Sequence, residues 1–131
     1  MAKAKMVKEI TAITPNRAGM LAEVTDAIAS SGTNIIAIVA MVAGKSARFS
    51  IVTDNNQKAM AALRTKKFNV KESDVVTVSL TNQIGSAKEL AQRLAKAGVD
   101  LDYCYGSTGN GSEALFVFST KDVKKALEVC G

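Results

Sequence analysis

Histidine and tryptophan are absent from these 131 residues, and there are only two cysteines and one proline. Without histidine there is no Ser-His or Cys-His nucleophilic pair and no His-ligated zinc site. The cysteines, Cys104 and Cys130, are far apart and form no CxxC motif. In a cytosolic chain they read as reduced, packed thiols. Aromatic residues make up 5% of the chain, so Ala, Val, Ile and Leu must build any core. No apolar run is long enough to span a bilayer. The basic stretch Met1–Met6 lacks the apolar segment of a signal peptide, so the expected location is cytoplasmic. Gly106–Ser112 is glycine-rich but lacks the Gly-Lys-Ser/Thr of a phosphate loop, and reads as a hairpin. No cofactor or metal is nominated.

What is present is ordinary globular material, 47% hydrophobic and 22% charged, with a net charge of +5. The charge is uneven: residues 1–73 hold 11 Lys or Arg against 5 Asp or Glu, and the remainder 6 against 7. Lys3, Lys5 and Lys8 account for part of the excess and read as a solvated tail. The length allows one domain or two small ones.

A repeat decides for two. Asn16-Arg17-Ala18-Gly19 aligns with Asn82-Gln83-Ile84-Gly85 at an offset of 66 residues. Without a gap, the same offset pairs Thr11 with Thr77, Glu23 with Glu89, Gly32 with Gly98 and Ser46 with Ser112. It also pairs Asn34 with Asp100, Ile35 with Leu101 and Ile51 with Val117. Each copy reads strand, helix, strand, strand, helix. Lys8–Thr14 and Val76–Leu80 alternate as half-buried strands. Leu21, Val24 and Ile28 share one helical face, as do Ala87, Leu90, Ala91 and Leu94. Gly32 and Gly98 stand where a helix ends in a left-handed residue. Asn34–Val42 with Arg48–Thr53, and Asp100–Gly106 with Ala114–Ser119, follow as hairpins. Ala59, Ala62 and Leu63 mark the second helix of one copy; Val123, Ala126, Leu127 and Cys130 mark that of the other.

Phe68–Glu72 supplies a fourth strand to the first copy, completing βαββαβ. The second copy would need its own after Gly131. The expected architecture is therefore α+β, two tandem ferredoxin-like modules, residues 1–73 and 74–131, with antiparallel sheets and helices on one face. The second module lacks its last strand. Its short sheet edge invites pairing with the sister module or with a second chain, which favours a homodimer.

A polar residue and a glycine closing the first loop of such a unit resemble the ACT domain family. The segment carrying the resemblance is Thr14-Pro15-Asn16-Arg17-Ala18-Gly19-Met20-Leu21, followed by Gly32-Thr33-Asn34-Ile35. It covers nearly the whole chain, twice. Ala18 and Ile84 replace the family's usual proline, Ser86-Ala87 departs from its Gly-Leu, and Asp100 replaces Asn. The resemblance implies a non-enzymatic regulatory protein that binds an amino acid at interfaces between paired modules. It would use the first loop and the start of strand two: Asn16, Arg17, Ala18, Gly19, Met20, Leu21, Asn34 and Ile35, and Asn82, Gln83, Ile84, Gly85, Asp100 and Leu101 in the second copy.

Residue chemistry agrees. A loop leading into a helix presents unpaired backbone N–H groups to an anion such as a carboxylate. Asn34, placed near that loop, offers amide donors and an acceptor to a zwitterion. Simpler uses stand beside these: Gly19 and Gly85 for tight packing or ligand approach, Asn16 and Asn82 as N-caps, Arg17 as a solvated side chain. The RNA-recognition fold shares the topology, but it stacks bases on aromatics of its first and third strands. The first strands here have none, so nucleic acid is not an expected partner; nor is a membrane, for want of a spanning apolar run. An interaction-only subunit of a separate metabolic enzyme is the first alternative, and an RNA-binding module the second.

Overall fold

The pleat sends alternate side chains of a strand to opposite faces, and the first strand of each copy is expected to bury only one. In the computed structural model, which describes residues 3–131, both faces are covered at mid-strand: Glu9 and Thr11 are buried as well as Ile10 and Ala12, and Val75 and Thr77 as well as Val76 and Val78. The elements in chain order are β1 (Lys3–Pro15), α1 (Met20–Ser30), β2 (Ile35–Ala43), β3 (Ser46–Thr53), α2 (Asn56–Thr65), β4 (Asn69–Thr81), α3 (Ser86–Lys96), β5 (Tyr103–Thr108), β6 (Glu113–Ser119) and α4 (Val123–Cys130). The fold is α+β, as expected.

The chain divides into two compact units, Lys8–Ser73 and a discontinuous one joining the segment up to Val7 with Asp74–Gly131. In the first, the strand order is β2-β3-β1-β4, with β1 and β2 both antiparallel to β3. Val24, Ile28 and Leu63 of the two helices pack with Ile10, Phe49 and Ile51 of the sheet. In the second unit the order is β1-β4-β6-β5, and β6 is antiparallel to both neighbours. Its core joins Val76, Val78 and Phe118 to Leu90, Leu94, Ala126 and Cys130.

The second unit's missing strand comes from the other end of the chain. Beside β4, where this unit would place a fourth strand, lies the start of β1. Ala4 packs on the core of this unit, and Lys5 O accepts a hydrogen bond from Thr77 Oγ1 at 3.5 Å. One expectation is corrected, and the short edge takes the first of its two expected pairings. Residues 3–7 are a strand rather than a tail, although Lys3, Lys5 and Lys8 keep their side chains in water. The short edge beside β4 is consequently occupied. Sequence spacing hides this because the partner strand precedes its module by some 70 residues. The fourth strand of the first copy and the first strand of the second, expected separately, form the continuous β4.

The repeat also gains one residue. Ile10 pairs with Ile51, but its counterpart Val76 pairs with Phe118. The offset is therefore 67 after the second hairpin, whose longer loop takes up the insertion. A one-residue slip exchanges the two faces of a strand, so Ile51 corresponds to Phe118 and not to Val117. The new offset matches Asn55 with Asp122, whose side chains accept from Lys58 N and Lys125 N as helix N-caps. It also matches Leu63 with Cys130, both fully buried.

Candidate ligand-binding site

Both first loops end in a glycine forced left-handed. Gly19 has φ 86° and Gly85 φ 92°, each is the N-cap of its helix, and neither helix has a side-chain cap. A Cβ at either position would meet nothing within 4 Å. Glycine is thus required by backbone conformation, a region costly to residues with a Cβ, and tight packing is not the reason. Asn16 and Asn82 are not caps either. Asn82 Nδ2 donates to Gly111 O at 3.0 Å, and Asn82 N to Ser112 O at 2.8 Å, tying the loop to the glycine-rich hairpin.

The consequence is a helix start with unspent donors. In the first loop Met20 N donates to Arg17 O and Glu23 N to Gly19 O. The N–H groups of Leu21 and Ala22 have no acceptor within the helix and no capping side chain. In the second loop Ser86 N donates to Gln83 O, Glu89 N to Gly85 O, and Ser86 Oγ to Thr81 O at 2.6 Å. Ala18 and Ile84 sit at the loop tips, with Ile84 wholly in solvent. Met20 is buried, whereas Leu21, expected in the core, is 56% exposed. The buried stripe of α1 runs through Met20, Val24, Ala27 and Ile28, so Leu21 stands on the flank and is open to a partner.

Charge is handled differently in the two copies. Arg17 Nη1 lies 2.7 Å from Glu23 Oε2, so the first loop carries its own ion pair. Gln83 replaces that arginine, and Glu89 instead meets Arg93 at 3.0 Å, one turn along α3.

The start of strand two does not join its own module's loop. Pro15 at the loop is level with Ser46, while Ile35 is level with Thr53, the far end of β3. Seven strand residues separate these ends by about 24 Å. The second copy is alike, with Thr81 level with Glu113 and Tyr103 with Ser119. Asn34 and Ile35, and Asp100 and Leu101, are therefore remote from Asn16–Leu21 and Asn82–Gly85 of the same module. This corrects the placement of Asn34 near the loop: the helix carries the chain back across the sheet before strand two begins. At that far end Asn34 N donates to Asp54 Oδ1 at 2.9 Å and Asp54 N to Asn34 O at 3.1 Å. Asp100 O accepts from Thr120 Oγ1 at 2.6 Å.

Sequence reasoning missed a cavity of about 110 Å³ in the second module. Leu80 and Thr81 of β4, Gln83 of the loop, and Ser86, Glu89, Leu90 and Arg93 of α3 form its walls, with Cys130 and Gly131 at the end of α4. Burial pushes the Cys130 thiol up, and the Arg93 charge pulls it the other way. Comparing the two copies residue by residue was the available signal, because Ser86 and Cys130 stand where the first copy has Met20 and Leu63. Among the described residues no group of three Cys, Asp or Glu side chains is placed to hold a metal, and no helix is long and apolar enough to cross a membrane.

A family model described as an ACT domain pair matches residues 5–130. Among solved structures, protein BT0572 from Bacteroides thetaiotaomicron is 27% identical, with a TM-score of 0.87 over 96% of this chain and 87% of that one. The regulatory subunit of aspartate kinase from Thermus thermophilus is 17% identical, with a TM-score of 0.70 over 97% and 93%. That from Thermus flavus is 18% identical, with a TM-score of 0.66 over 98% and 94%. A search of curated proteins found no match.

Proposed function

The chain belongs to the ACT domain family, as a pair of modules, and from that premise we propose that it is a non-enzymatic cytoplasmic sensor of a small ligand, an amino acid. The observation that carries the reading is the repeated first loop. Twice, a left-handed glycine opens a helix whose leading N–H groups are left without a side-chain cap. Such a terminus favours an anion, by its donors and by the helix dipole. A carboxylate suits it. Asn16–Leu21 and Asn82–Gly85 are the proposed contact segments.

Asn34, Ile35, Asp100 and Leu101 reach such a ligand only from a different module, since their own loop lies about 20 Å or more away along the strands. A second copy of the chain supplies one, so the proposed sensor is a homodimer. Exposed Ile36, Met41 and Val42 on β2, the outer strand of the first unit, support that assembly. Ligand binding would act by differential affinity for two states of the dimer or of an enzyme bound to it. The fold likeness to regulatory subunits of aspartate kinase supports the second reading, an interaction-only subunit of a separate metabolic enzyme.

A thermal-shift screen against the twenty amino acids, with light scattering for size, separates the two. Selective stabilisation that grows with concentration is expected of a sensor. A dimer unshifted by every amino acid at millimolar concentration would leave the interaction-only reading.

A further inference from the structure

At the positions in the first module equivalent to two walls of the second module's cavity, larger side chains fill the core. Ser86 corresponds to Met20 and Cys130 to Leu63, and both larger side chains are buried in the first module's core. Arg93 corresponds to Ala27, also buried there. Losing a Met and a Leu side chain from a core leaves space, and the surroundings only partly collapse into it. Here the space has gained polar walls: the Ser86 hydroxyl, the Gln83 amide, and the Arg93–Glu89 ion pair at 3.0 Å.

We propose that this cavity is a second-module site for a zwitterion of about five heavy atoms, an amino acid of glycine size. The inference rests on the amino-acid sensor reading and deepens it. Size follows from volume: a cavity of roughly 150 Å³ accepts benzene, with six heavy atoms, and this one measures about 110 Å³. Charge follows from the two side chains. Arg93 presents a planar donor fork to a carboxylate, and Glu89 accepts from an ammonium. Their side chains are 49% and 65% exposed, so opening the pair to admit a ligand costs little. Leu80 and Leu90 supply the apolar part of the wall. A ligand this small is held at micromolar affinity at best.

The test is a titration of the full chain with glycine, followed by amide NMR, with acetate, methylammonium and phenylalanine as comparison probes. Glycine should shift the resonances of Gln83, Ser86 and Arg93, each half-ligand should bind about tenfold or more weakly, and phenylalanine should leave these resonances in place. The Ser86→Met, Cys130→Leu double variant, which rebuilds the first module's packing, should lose the response. Arg93→Gln, a change at a half-exposed position, should weaken it about tenfold or more and guards against a misfolded double variant. Glycine binding unchanged in both variants would sink the cavity site and leave the loop reading standing. No response of the wild-type chain to tens of millimolar glycine would overturn the inference too; the twenty-amino-acid screen then judges the sensor reading separately.

Discussion

The two modules share topology, caps and left-handed glycines, yet they differ in how each is completed. The first is continuous and closes its core with Met20 and Leu63. The second borrows residues up to Val7 for its fourth strand and carries Ser86 and Cys130 at the equivalent core positions. Backbone architecture is thus held in common while side-chain filling diverges. A pair built this way can keep one module as packed scaffold and open the other to chemistry, because helix caps and pleats do not depend on what occupies the space beneath α3.

Deleting residues 1–7 should break the comparison most severely. The second module loses a strand, so hydrogen exchange across Val76–Leu80 should accelerate by orders of magnitude, and denaturant stability should fall by about 3 kcal/mol or more. Unchanged protection there would show that the borrowed strand is dispensable. Next, Leu63→Ala should cost about 2–5 kcal/mol. Cys130→Ala at the equivalent place should cost about 1 kcal/mol, since its side chain is small and already borders a void. Equal losses in urea titrations would contradict the difference in packing.

Gly19→Ala and Gly85→Ala sharpen the comparison from the other side. Both face open space and share the same left-handed geometry, so each should cost about 1–2 kcal/mol. A marked difference between them would mean that something besides φ constrains one loop. The smallest effect is that of pH. The folded Cys130 thiol ionises above its ordinary range because burial penalises the thiolate. The unfolded thiol therefore loses its proton first as pH rises. The neutral thiol's contribution is whole below the unfolded value and is lost as pH climbs towards the folded one. Wild type should lose slightly more stability than Cys130→Ala over that alkaline window, and parallel pH profiles would argue against a desolvated thiol.

Much of this was legible in the residues. Strand alternation at Val76, Val78 and Leu80, the helical stripe through Val24 and Ile28, and the glycines ending α1 and α3 are local signals, each fixed within a few residues by periodicity or backbone sterics. The loop glycines were legible as special, although their reason, a left-handed N-cap, was not. Leu21 shows the limit of the pattern: helical spacing gives a face about a third of the helix wide, and only packing decides which flank is covered.

The sequence by itself determined two copies of a βαββ-α unit, their antiparallel hairpins, and the absence of histidine-based chemistry. Tertiary structure alone decided the rest. It brought Lys3–Val7 beside β4, turned the repeat's offset from 66 to 67 at the second hairpin, and set Asn34 at the opposite end of the sheet from Asn16. The physical reason is the same in each case. Periodicity and propensity act over one or two turns of chain, whereas strand partners, register and cavities depend on contacts between residues tens of positions apart, which only the folded chain brings together.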